Sequence, residues 1–228
     1  QPIELIVDTS KFVSTALEAV TLDGKVMAVP MTYGNHLMML YNKSMIPAAP
    51  KTTDELIEIA KKHTDVATQK YGFAFFQNEP FWMAPMLGGF GGWPLNVSGA
   101  TVDITLDTPE MVETLAFIKD LKFTHKILPV ECDYDCAKGL FFEEKTPMTI
   151  NGDWAVREYR KKLGDKLGIA ALPIVSKTNK PMTPMVSGRY LFVNANIEPQ
   201  KMEMVKQLIS YLSSNEVQIA VGTQLERI

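Results

Sequence analysis

The stretch Pro147-Met148-Thr149-Ile150-Asn151-Gly152-Asp153-Trp154-Ala155 constrains the fold more than any other part of the chain. A short apolar strand runs into a glycine turn. An Asp stands where a helix N-cap is expected, and a large aromatic begins the first helical turn. A strand that turns directly into a helix is a unit of α/β architecture, and such corners are where open α/β sheets bind ligands. Trp154 is therefore expected either to face a cleft and stack on a ligand, or to pack under the helix as core.

The rest of the chain repeats the alternation. Residues 26–31, 36–41, 72–76, 148–151, 167–174 and 190–194 read as strands. Thr52 opens a helix with Glu55 as its capping-box partner and Leu56, Ile59 and Ala60 on its apolar face. Thr108-Pro109 opens another, with Met111, Leu115, Ile118 and Leu121 on one stripe. Asp135 is expected to cap a third, and Glu198-Pro199 to open a long one through Leu212. A last helix follows from Ser214 or Asn215. No internal repeat interrupts this order, so the fold class is α/β.

Composition narrows the function classes. The chain has 228 residues, of which 46% are hydrophobic and 21% charged, with a net charge of -3. That balance is ordinary for a globular protein and leaves no electrostatic footprint for nucleic acid. No apolar run reaches the ~18 residues that suggest a membrane span. The chain opens on Gln1 without a leader-like segment and so reads as processed or trimmed. Cys132 and Cys136 have no second pair and no His nearby, which leaves a zinc site short of ligands. They are either a small disulfide loop or two thiols around a helix start.

Taken together, Asp23-Gly24-Lys25-Val26-Met27-Ala28-Val29-Pro30, Leu40-Tyr41-Asn42-Lys43, Pro50-Lys51-Thr52-Thr53-Asp54-Glu55-Leu56, Glu79-Pro80-Phe81-Trp82, Gly91-Gly92 and residues 148–154 form a recognisable order. In that order and spacing the chain resembles the extracellular (periplasmic) solute-binding proteins of ABC importers, family 1, the maltose-binding-protein-like group. The resemblance implies a periplasmic-binding-protein-like type II α/β fold, mostly one lobe plus part of the other. It implies a partial first lobe and hinge over residues 1–36, a second lobe over 37–185, and a return to the first lobe over 186–228. Family members carry further first-lobe chain before this point and further helices after it, so the sequence reads as truncated at both ends.

The same resemblance assigns candidate ligand contacts. Trp154, Glu79 and Phe81 match motif positions that touch sugar. Phe81 stands where the maltose binder has a tyrosine, which keeps a stacking face and loses a hydroxyl. Trp82 replaces a phenylalanine and brings area and an N–H donor, with core packing as the alternative. A carboxylate at Glu79 can fix two hydroxyls by charge-assisted hydrogen bonds, or stand as a solvated loop charge. Tyr33 and Asn35 fall in the first crossing between lobes, where Asn supplies donors and an acceptor without charge. His36 there reads as structural. Arg189, after Gly188 in the second crossing, could clamp a carboxylate or phosphate, bond sugar hydroxyls, or be a surface charge. Asp153 joins the set as the residue beside Trp154. Gly88-Gly89-Phe90-Gly91-Gly92 lacks both the Walker ending and the dinucleotide spacing, and reads as tight turns. Thirteen methionines read mostly as core.

Three function classes follow. The first is a non-catalytic binder that captures a small solute, a sugar or oligosaccharide, outside the cytoplasmic membrane. Hinge closure would then present it to an ABC import permease. Glycerol phosphate, polyamines and metal complexes are the alternative solutes that the resemblance allows. No metal, nucleotide or other cofactor is implied. The second class is a glycosidase using Glu79 and Asp153, which needs two carboxyls ~5 to 9 Å apart across a bond. Neither a nucleophile elbow nor a His-Glu-x-x-His motif accompanies it. The third is a lobe that binds only the permease or nothing. The full-length protein is expected to be monomeric, and this shorter chain could be completed by a swapped partner.

Overall fold

The computed structural model describes residues 2–4, 6–99 and 101–224. The chain divides into two compact units, residues 1–35 with 186–228, and residues 36–185. The first unit opens with helix α1 (Ser14–Glu18), the short strands β1 (Thr21–Leu22) and β2 (Lys25–Val26), and β3 (Ala28–Gly34). The second runs through β4 (Leu37–Asn42), α2 (Thr53–Lys62), α3 (Pro80–Phe90), β5 (Leu95–Ser98), β6 (Thr101–Ile104), α4 (Pro109–Lys119), α5 (Tyr134–Phe142), β7 (Met148–Gly152), α6 (Val156–Leu163), β8 (Leu167–Ala170), β9 (Ile174–Val175) and β10 (Lys180–Pro181). The chain returns to the first unit with β11 (Ser187–Phe192), α7 (Pro199–Leu212) and α8 (Asn215–Gln224).

The second unit is organised by β4, the middle strand of the antiparallel sheet β7-β4-β8. Its sequence Leu37-Met38-Met39-Leu40 is apolar without alternation, as a strand covered on both faces requires. Successive side chains point to opposite faces, so alternate residues feed two cores. Leu37 and Met39 pack with Phe73, Phe75, Trp82, Met86 and Ile150. Met38 and Leu40 pack with Phe141, Val156, Tyr159 and Leu167. The helices therefore cover both faces of a small sheet, which is the α/β layering expected.

Caps fix where the helices start. Thr52 accepts from the Glu55 N–H at 3.2 Å, while the Glu55 carboxylate reaches past the cap to the Lys51 N–H at 2.7 Å. Thr108 caps α4 through the Met111 N–H at 3.3 Å, with Pro109 in the first turn. Gly91, at φ +96°, ends α3 in the left-handed conformation that a side chain would strain.

Several local expectations are corrected. The cap of α5 is Asp133, whose carboxylate accepts from the Cys136 N–H at 2.8 Å; Asp135 lies one residue inside the helix. Residues 72–76 form a single parallel bridge, Ala74 to Thr149, because the Phe73 and Tyr71 N–H groups go instead to Ile127 and Lys145. The predicted strand 167–174 breaks in two around Pro173, which cannot donate to a ladder, and Ile174–Val175 pairs with β10. Leu115 faces outward, leaving Met111, Thr114 and Leu121 as the buried positions along that stretch. On α7, Ile209 carries the burial while Leu208 is exposed, which places the apolar face of that helix. The last strand shifts to residues 187–192, where β3 supplies its partner.

In the first unit, β3 and β11 form an antiparallel ribbon with an irregularity between Arg189 and Tyr190. Ile3, Val29, Val193 and Ile209 form its core, with Met31, Leu191, Met202 and Val205 packed around them.

Candidate functional site

The strand-to-helix corner after β7 is built by Asn151. Its Oδ1 accepts from the Gly152 N–H at 2.8 Å, and its Nδ2 donates to the Tyr159 hydroxyl at 3.0 Å. Strand end and α6 are thereby joined through one buried amide. Burial raises the Tyr159 pKa and keeps the phenol neutral, so it remains a stable acceptor. The His36 carbonyl accepts from the Asp153 N–H at 3.2 Å and ties the start of β4 to the same corner.

Asp153 is not the N-cap that the sequence suggested. It is the first residue of a short 3-10 turn capped by Gly152, and its carboxylate accepts from the Trp154 N–H at 2.8 Å. The indole folds back over Gly152. A Cβ there would lie well inside the 3.0 Å within which real Cβ atoms are not found, against the Cζ3, Cη2 and Cε3 atoms of Trp154. Trp154 is 37% exposed. It is neither core nor free in solvent; it is a ring seated on a glycine with its outer part open.

Four further rings continue from it. Trp154 lies 6.0 Å from Trp82, edge to face, and 6.2 Å from Phe81. Trp82 also touches Phe81 at 5.5 Å, Phe76 at 5.1 Å and Tyr134 at 6.1 Å. It is the hub, 8% exposed, and its indole N–H donates to the Ile150 carbonyl at 3.3 Å. That N–H, expected as a handle for a ligand, is spent on the edge of β7. Phe81 and Tyr134 are half-buried. Glu79 is exposed and heads α3, accepting from the Phe81 N–H at 3.4 Å. One region of the second unit thus brings together Trp154, Phe81, Trp82, Glu79 and Asp153.

Tyr134 was missed in the sequence. It follows the cap Asp133 as Trp154 follows Asp153, and that repeated Asp-aromatic helix start is the signal that could have found it. Cys132 and Cys136 bracket it in a disulfide, with Cα atoms 5.3 Å apart. Cys132 lies before the helix, so helical spacing does not govern the pair. Lys138 sits 5.9 Å from the Tyr134 ring centroid and bridges Glu158 at 3.4 Å and Asp135 at 3.6 Å. The Glu158 charge raises its pKa.

Tyr33, Asn35 and Arg189 lie in the first unit. Tyr33 pairs with Gly188, and Thr32 with Arg189, which turns Tyr33 and Arg189 to opposite faces of the ribbon. Tyr190 lies over Gly188, where a Cβ would press on its phenol carbon and oxygen. Tyr33 half-buries beside a cavity of about 330 Å³ lined also by Phe12, Thr32, Ser213 and Gln218. Asn35, at φ +53°, donates from Nδ2 to Ser187 Oγ at 2.9 Å. Arg189 is exposed. Among the described residues no group of three or more His, Cys, Asp or Glu side chains could hold a metal ion. No helix among them is long and apolar enough to cross a membrane.

Comparison with known proteins gives a consistent result. The family described as bacterial extracellular solute-binding protein matches residues 1–228. The maltotriose-binding protein of Pyrococcus abyssi is 32% identical over 181 residues, 78% of this chain and 38% of that protein. The maltodextrin-binding protein MdxE of Bacillus subtilis is 26% identical over 191 residues, 80% of this chain and 45% of that protein. Among solved structures, the maltose/maltodextrin-binding domain MalE from Bdellovibrio bacteriovorus bound to maltotriose superposes with a TM-score of 0.84 at 35% identity. It covers 100% of this chain and 61% of that one. The chain thus spans less than half the length of these two curated relatives.

Proposed function

Since the chain belongs to the bacterial extracellular solute-binding protein family, we propose that it binds a maltodextrin-type sugar without chemical turnover, outside the cytoplasmic membrane, for delivery to an ABC import permease. The observation that carries this reading is the five-ring cluster with Trp154 and Phe81 at its open side. Pyranose rings present flat patches of C–H groups, and exposed aromatic faces bury such patches while leaving the hydroxyls to polar groups at the rim. Glu79 and Asp153 are the rim carboxylates. Trp82 serves as the floor, and Tyr134 as a third wall. Tyr33, Asn35 and Arg189 remain candidate contacts, to be judged singly by alanine substitution.

Both named relatives and the solved structure are sugar binders, which supports the substrate class. The glycosidase reading finds no support in the roles of its two carboxylates, because Asp153 holds the Trp154 N–H and Glu79 heads α3.

Calorimetric titration of the chain with maltose, maltotriose and glycerol phosphate tests the proposal. Maltotriose is expected to bind with a constant that weakens at least about tenfold in Trp154→Ala, a loss of about 1.4 kcal/mol. Binding of glycerol phosphate alone, or release of glucose from maltotriose, would overturn it.

A further inference from the structure

The disulfide stands in a place that global stability does not explain. It closes a loop of sequence separation 4, at the short end of what constrains an unfolded chain. What lies inside that loop is Tyr134, at the first position of α5, where backbone N–H groups have no intrahelical partner and ends fray. The ring is held by edge contacts, at 6.1 Å to Trp82 and 6.4 Å to Phe76. The anchor is Cys132, 2% exposed and packed with Ala74 and Ala137. The Cys132 carbonyl accepts from the Gln77 N–H at 2.9 Å, and the Gln77 side-chain amide donates to the Pro129 carbonyl at 3.1 Å. The segment that carries Tyr134 is thus stitched to the segment that leads into Glu79, Phe81 and Trp82.

Resting on the sugar-binding reading above, we propose that Cys132 and Cys136 are positioning residues: their disulfide fixes the Tyr134 ring as a wall of the aromatic site, and sugar affinity depends on its oxidation state. Reduction by a trialkylphosphine breaks the S–S bond. The phosphine supplies two electrons and takes oxygen from water as phosphine oxide, and the two protons of that water complete the thiols. The first turn of α5 then loses its covalent tie to the buried Cys132 and is left with the Asp133 cap, the Lys138–Asp135 ion pair and the edge contacts of the ring. An ordered wall becomes a mobile one, and ordering it again on binding lowers affinity.

The test is a cycle of oxidation state against Tyr134→Ala, read by calorimetric titration with maltotriose. Reduction of the parent chain is expected to weaken binding roughly two- to tenfold, the range of an aromatic contact. C132A/C136A should bind like the reduced parent and ignore the phosphine. In Tyr134→Ala, oxidised and reduced forms should bind alike. Equal affinity of the two parent forms overturns the proposal, as does a loss on reduction that persists in Tyr134→Ala, since the disulfide would then brace the fold rather than the ring. Near-ultraviolet circular dichroism gives a readout without ligand. Reduction should diminish the aromatic bands while the far-ultraviolet spectrum holds, and unchanged bands overturn the positioning role. An oxidised parent that ignores maltotriose refutes the sugar-binding reading and the affinity claim with it; the aromatic bands then still decide whether the disulfide holds the ring.

Discussion

Gly152→Ala isolates the seating of Trp154. The backbone at Gly152 has φ −96° and ψ 170°, an extended conformation that alanine adopts without strain. The added methyl therefore acts only through what it strikes, the six-membered ring of Trp154. The indole must swing outward, and its contacts with Trp82 and Phe81 open. Overpacking of this kind costs about 1–3 kcal/mol, and the lower half of that range applies because an exposed ring yields more readily than a core one. Trp154→Ala removes the struck group. The double substitution should consequently be no less stable than Trp154→Ala alone, with a coupling of about 1 kcal/mol between the two sites. Urea denaturation of the four proteins measures it, and the tryptophan emission of Gly152→Ala should shift to the red. Strict additivity, with the double variant losing the sum of the singles, would refute the reasoning, because the indole would then not rest on Gly152.

Three further outcomes are expected. Trp82→Phe keeps a ring at the hub but removes the indole donor and leaves the Ile150 carbonyl only the Thr149 hydroxyl at 3.5 Å, so urea denaturation should show a loss of about 1 kcal/mol. Thr52→Ala removes the cap of α2, outside the aromatic cluster, and should cost about 1 kcal/mol of stability with maltotriose affinity unchanged in the same titration. The hydrogen bond and charge of Lys166 hold the Glu144 carboxyl below its ordinary 4.5. A depressed folded pKa contributes stability above the unfolded value, and that contribution is lost as pH falls through the folded one. Glu144→Gln should therefore reduce the difference in urea midpoint between about pH 6 and about pH 3.

The strand-turn-helix corner was legible because its parts are local. Ile150, Asn151, Gly152 and Trp154 each state a backbone preference that neighbours in sequence satisfy. The caps Thr52 and Thr108 were legible for the same reason. Trp82 was ambiguous because an aromatic beside a proline looks alike in a site and in a core. What settles its place is the Ile150 carbonyl, 68 residues away in sequence. Residues 72–76 had strand composition, but the Gly72 N–H goes to the Thr64 hydroxyl and the Phe73 N–H to the Ile127 carbonyl, which leaves Ala74 alone to bridge to β7. Asp133 and Asp135 both satisfy cap statistics, and what separates them is that the Asp133 carboxylate reaches the Cys136 N–H. Tyr134 stayed hidden because its importance lies in contacts with Trp82 and Phe76, both from distant chain.

The ribbon of β3 and β11 also governs the order of assembly. Asn35 meets Ser187 across a separation of 152 residues, while every strand pairing of the second unit lies within the chain between them. Closing so long a loop in an unfolded chain is entropically costly and slow. Folding of residues 36–185 first would shorten the effective loop, so the inserted unit is expected to form ahead of the ribbon. On the ribosome, the pairing of β3 with β11 has to wait until the whole insertion and β11 have emerged. Until then β3 lacks its β11 partner, and the Pro30 within it, which has no N–H to offer, limits pairing with a neighbouring chain.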